Sequence, residues 1–156
     1  MTPRLLLRSG LLGVVAGLRS QFPAAALAAR GLEPASRSLA LLSTPGGRRA
    51  AYLAAAGEIL VDKLPITPAR VELRGLIARV ASGAVAGAVL ASATGVRGSR
   101  TALPVLAGAA GAYLGSWGGF AARRALVSTT ELPDAVVAVA EDVVAVGLAA
   151  VAVRGA

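Results

Sequence analysis

Apolar residues fill long stretches of this chain, and charged ones punctuate them. Residues 80–96 and 101–122 contain no charged side chain, and each approaches the ~20 apolar residues that a helix needs to cross a bilayer core. A third run, residues 133–153, opens on Pro133 and Asp134 and is followed by Arg154. Proline suits the first helical turn, the acid suits the positive helix end and the arginine the negative one. Two further runs are weaker. Residues 5–29 are cut by Arg8 and Arg19, and residues 50–64 cover only about 22 Å at ~1.5 Å per residue, below the ~30 Å of hydrocarbon. The second of these must tilt, begin before Arg48 or enter only part way. Breakers separate the runs: "STPGGRR", "LPITPAR", "TGVRGSR" and "STTELP". No segment alternates with period two, which argues against a β-barrel. The pattern predicts an all-α polytopic membrane bundle of about five transmembrane or part-spanning helices, one domain over residues 1–156.

Composition agrees with that picture. Hydrophobic residues make up 56% of the chain and charged ones 15%, too apolar for an ordinary soluble domain. The net charge of +8 comes from basic residues set mainly between the apolar runs, where they would meet lipid headgroups. A nucleic-acid groove would want a basic stripe interleaved with aromatics, so nucleic acid is not an expected partner. Arg and Lys divide too evenly between the two sides of five spans to orient the bundle. The first 32 residues hold Arg4, Arg8, Arg19 and Arg30 but no acid, a trait of cleaved targeting segments. Arg8 and Arg19 interrupt the apolar run, however, and the expectation is a retained first helix. The chain has no Cys and no His, which removes disulfides, thiolate zinc sites and the usual general base. No phosphate-binding loop or haem-type ligand is visible. The expectation is a protein that is not an enzyme and carries no metal or cofactor.

Glycines recur four apart: Gly13 and Gly17, Gly83 and Gly87, then Gly111, Gly115 and Gly119. At that spacing they share a helix face and let backbones approach closely, which matters in lipid because burying apolar side chains supplies no drive there. Tyr113, Trp117 and Phe120 fall on the opposite face of their helix, as a lipid-facing interfacial anchor would. A faint echo, "GVVAG" at 13–17 against "GAVAG" at 83–87, raises the question of an internal repeat.

Charged residues inside these runs are the candidate chemistry. At 100° per residue, Glu58 and Asp62 share a face with Ala51, Ala54 and Ala55, while Tyr52, Leu53, Ile59 and Leu60 take the broader opposite side. On the last helix Glu141 lies on the face of Ala138 and Ala145, with Asp142 at its margin. An unpaired carboxylate at the bilayer centre costs roughly 2.5 to 3.5 kcal/mol, so counter-charges are expected from Arg19, Lys63 or Arg79. In "GLRSQFP", Pro23 has no N–H for the carbonyl of Arg19, which would leave an acceptor exposed beside Ser20 and Gln21. A discontinuous helix of this kind is how several transporters build a midplane site. Glu58, Asp62, Glu141 and Asp142 are therefore the candidates for binding a proton or cation, with ion pairing that fixes helix register as the alternative role.

"GLRSQFPAAALAA", "GEILVDKLPITPARVELRGLIARVASGAVAGA" and "LPDAVVAVAEDVVAVG" together resemble the small bacterial integral membrane proteins catalogued as domain of unknown function 4126. The resemblance implies a multi-pass protein of the inner (plasma) membrane and supplies no activity. The functional expectation is a small transporter or channel, with a structural or accessory membrane protein as the alternative. Expected partners are the lipid bilayer and further copies of the chain, with the identity of any small ion or solute left open.

Overall fold

The computed structural model describes residues 2–31, 41–61, 72–130 and 132–154. Six α-helices account for most of them: α1 (Pro3–Leu18), α2 (Phe22–Ala29), α3 (Pro45–Val61), α4 (Leu73–Ala93), α5 (Ala102–Thr129) and α6 (Asp134–Val153). A 3-10 turn, Gly98–Thr101, leads into α5. The described residues contain no strand.

The helix ends follow from local chemistry. Pro3 and Pro23 both sit in first turns, where a missing N–H costs nothing. The ring of Pro23 would collide with a helix running through from α1. The chain accordingly turns extended at Arg19 and restarts at Phe22. The single interrupted helix expected over residues 5–29 is thus two helices. At the far end of α4, Thr94 is followed by Gly95 in the left-handed region at φ 79°. The Val96 N–H reaches back to the Ala91 carbonyl at 2.9 Å, the six-to-one bond of a Schellman stop. Gly31, at φ 64°, closes α2 in the same region.

Helix α1 is the axis of the bundle and packs on α5, α4 and α6. Contacts fix the directions. Gly10 lies beside Ala107 and Gly17 beside Ser116, so α1 and α5 run parallel. Arg8 reaches Ala152 and Arg19 reaches Asp142, so α6 runs antiparallel to both. Helix α2 doubles back, bringing Leu27 into a cluster with Leu5, Leu12, Ala86 and Leu90. Helix α3 packs chiefly on α2.

Glycine makes these contacts close. A methyl group on Gly13 would overlap the Gly108 carbonyl, and one on Gly83 would overlap that same carbonyl from the other side. Gly17 meets the backbone from Ala112 to Ser116, Gly87 meets Pro104, Gly111 meets Gly10, and Gly115 meets Val14. The two echoing glycine pairs therefore grip one strip of α5. Gly119 is half-buried further along the helix and lines a groove between α1, α5 and α6.

Two helices, α4 and α6, are long and apolar enough to cross a membrane by length and composition. Helix α5, expected as a span over residues 101–122, runs 28 residues, but many of its positions are glycine and it carries Arg123 and Arg124.

Candidate functional site

The break between α1 and α2 gathers charged and hydroxyl side chains from four helices. Where α1 ends, its last carbonyls have no helical partner. Arg79 of α4 supplies one: its Nη1 donates to the carbonyls of Gly17 at 3.0 Å and Leu18 at 2.9 Å. Ser82, one turn along α4, donates to the Ser20 carbonyl at 2.5 Å. Ser116 of α5 donates to Ala112 at 2.8 Å and sits 3.4 Å from the Gly17 carbonyl.

Glu58 meets the opposite need. The N–H groups of Ser20 and Gln21, in the turn just before α2, need acceptors as the last carbonyls of α1 need donors, and they lie at the positive end of the α2 dipole. The Glu58 carboxylate accepts from the Ser20 N–H and Ser20 Oγ, both at 2.7 Å, and from the Gln21 N–H at 2.9 Å. Arg79 Nη2 stands 3.8 Å from the same carboxylate. One guanidinium and one carboxylate, from α4 and α3, thus satisfy both ends of the break.

The second pair lies across α1. Arg19, 1% exposed, donates from Nε to Asp142 Oδ1 at 2.5 Å. Among the described residues, two guanidiniums and two carboxylates meet at this level of the bundle. On the outer side of α6, Arg123 of α5 donates to both oxygens of Asp134, at 2.9 and 2.5 Å, and its Nη1 stands 3.9 Å from Glu141 Oε2. Glu141 and Arg123 border the groove that also contains Gly119, about 340 Å³ in volume and otherwise apolar.

Of the candidate acids, Glu58 and Asp142 are brought to the break with Arg19 and Arg79, and Glu141 lies one position away on the groove side of α6. Asp62 and Lys63 fall outside the described residues. Among the described residues no group of three or more acids converges as a metal site would require.

Three readings of the sequence need correction. The Arg19 carbonyl is not left exposed: the Phe22 N–H donates to it at 3.3 Å, because the chain closes a turn instead of kinking a continuous helix. The acceptors that draw in α4 are Gly17, Leu18 and Ser20. On α3, Ala54 is exposed while Ile59 packs into the core beside Phe22 and Ala149. The reason is that α3 docks mainly on α2, so its buried stripe follows Ala51, Ala55 and Ile59. The third concerns Arg123, one of the basic residues between the apolar runs that were expected to meet lipid headgroups. Its partner Asp134 lies 11 residues on, across a turn that patterning within one helix does not see. Ser82 and Ser116 were missed outright. Their signal is a hydroxyl residue immediately beside a packing glycine, Gly83 or Gly115.

Comparison with family models, curated proteins and solved structures finds no match.

Proposed function

We propose that the chain is a multi-pass integral membrane protein whose broken α1–α2 hairpin is locked by ion pairs, and that it acts as a structural or accessory component of the membrane. The inversion of burial carries the membrane reading. Arg19 and Arg79 are buried while Leu73 and Val143 are 73% and 67% exposed, as are Leu53, Leu60, Leu106 and Leu114. Water would penalise an apolar surface of that extent, which soluble monomers rarely carry; hydrocarbon would not. Small residues then belong inside, where close backbone approach and polar bonds hold helices together. Helix α6 supplies the depth. Asp142 lies about 12 Å from its start and about 17 Å from its end at ~1.5 Å per residue, so the paired charges sit near mid-membrane. The resemblance to domain of unknown function 4126 points to the same location.

The locking role rests on Glu58. Its carboxylate accepts from two backbone N–H groups and a hydroxyl and stands beside the Arg79 guanidinium, which gives it the tasks of closing the turn before α2 and neutralising Arg79. Removing one partner from a buried pair costs roughly 3 to 5 kcal/mol, enough to decide whether the hairpin forms.

A second reading, transport of a proton or cation, is favoured by one observation. Around Arg123 two carboxylates, Asp134 and Glu141, lie within ion-pair distance of one guanidinium beside a groove. Reconstituted protein, tested for flux of protons and common monovalent cations, separates the two. The locking role predicts no flux above empty liposomes, and loss of folded protein with Glu58→Ala. Flux abolished by Glu141→Gln would replace it with the transport reading.

A further inference from the structure

At the end of the bundle away from the break, three arginines meet beside an apolar slot. The slot runs between α2, α3 and α6, has a volume of about 430 Å³, and is lined by apolar side chains alone, among them Phe22, Ala26, Ala29, Ile59, Ala149 and Val153. Its depth runs from Phe22 and Ile59 near the break to Ala29 and Val153 at the opposite end. There the next residues are Arg30 and Arg154, each the cap of its helix.

Arg8 joins them from α1. Its Nε donates to the Ala152 carbonyl at 2.7 Å and its Nη2 to the Arg154 carbonyl at 2.8 Å, closing the C-terminal end of α6. Arg30 stands close enough for its positive charge to act on Arg8. It is half-buried, and its Nη1 is shielded from solvent with no hydrogen-bond acceptor among the described residues. Burial holds the Arg30 guanidinium below the ordinary arginine value. No described acid is paired with Arg8, Arg30 or Arg154. Among the described residues, the break brings guanidiniums and carboxylates together, whereas this end has cations with no acid opposite them. A buried guanidinium N–H without an acceptor is costly, and a second cation beside it raises the cost.

We propose that this end is a binding site for an anionic phospholipid, its phosphate accepting from Arg30 and from the free faces of Arg8 and Arg154, and one acyl chain lying in the slot between α2, α3 and α6. The two halves fit one amphiphile. Arginine donors match phosphate oxygens in number and geometry, the slot is apolar, and the two are joined end to end. The inference rests on the membrane reading, since lipid must be the surrounding solvent.

Detergent-solubilised protein, titrated with phosphatidylglycerol or phosphatidylcholine and followed by native mass spectrometry and thermal melting, tests it. Phosphatidylglycerol should bind at least tenfold more tightly than phosphatidylcholine and raise the melting temperature. Arg30→Gln should remove that preference with little effect on the lipid-free melt, because Arg30 gives up no internal hydrogen bond. Ala26→Phe, which fills the slot, should weaken phosphatidylglycerol by a similar factor; Arg30→Lys should retain most of the binding. Equal binding of the two lipids, or an Arg30→Gln variant that binds like the parent, would overturn the site. So would glycerol phosphate competing as strongly as the intact lipid, since the pocket would then be a free-anion site. Parent protein that stays in the membrane after alkaline carbonate yet shows no lipid preference fails this inference alone; protein that washes off fails the membrane reading itself.

Discussion

Arg19 and Asp142 are 123 positions apart in the chain and 2.5 Å apart in the fold, tying the end of α1 to the interior of α6. Exchanging the two residues tests whether the contact is an ion pair and not merely a packing neighbourhood. Arg19→Asp and Asp142→Arg should each lower stability by roughly 3 kcal/mol or more, the order expected when a buried charge loses its partner. The double exchange should recover at least half of that loss in detergent melts. Additive losses would mean that the charges do not recognise each other.

Glu58 offers a graded test. Glu58→Gln keeps one acceptor oxygen for the Ser20 and Gln21 N–H groups but loses the charge near Arg79, whereas Glu58→Ala loses both. Melting should fall in the order parent, Gln, Ala, with the alanine variant down by about 3 kcal/mol, since buried N–H groups left without acceptors cost ~1 to 3 kcal/mol. An alanine variant as stable as the parent would show that the break needs no cap.

Gly108 lies between two helices. Its carbonyl is met by Gly13 from one side and Gly83 from the other, and a methyl group on Gly108 itself would overlap the Gly83 carbonyl. Gly108→Ala should therefore force α4 and α5 apart and lower the melting temperature by several degrees. Gly118→Ala, on the same helix with open space around it, should leave it unchanged or slightly raised, since alanine has the better helix propensity. Equal effects would place the α5 seam elsewhere.

The absence of cysteine makes single-cysteine mapping clean. A membrane-impermeant maleimide should label Arg100→Cys, in the exposed turn before α5, within minutes in vesicles made permeable to it. Val143→Cys, 67% exposed in the fold, should resist until detergent is added. Rapid labelling of both would mean that water, not lipid, covers α6.

Much of the packing chemistry can be read from spacing. Glycines four apart mark faces, and Gly13, Gly17, Gly83, Gly87, Gly111 and Gly115 all stand against neighbouring backbone. The proline at 23 announces a break in the first apolar run. What spacing does not reveal is where the freed groups go. The Arg19 carbonyl, singled out by the proline rule, is closed locally by the Phe22 N–H, while Gly17 and Leu18 recruit Arg79 from α4. The exposed Ala54 and half-buried Ile59 of α3 show the same limit: a helical wheel gives relative angles, and only the docking partner sets which angle faces inward.

The sequence by itself determined that this chain is helical, where most helices stop, and that a few acids and arginines fall inside apolar runs, where each would need a partner. Those properties depend on neighbours within a turn or two, on proline and glycine geometry, and on composition. Only the tertiary structure decided that Arg79 serves both ends of the α1–α2 break, that Asp142 belongs to Arg19, and that Arg8, Arg30 and Arg154 gather without a described counter-charge. Each of these joins residues from separate helices, and a charge's partner is set by distance in space, which sequence separation does not measure.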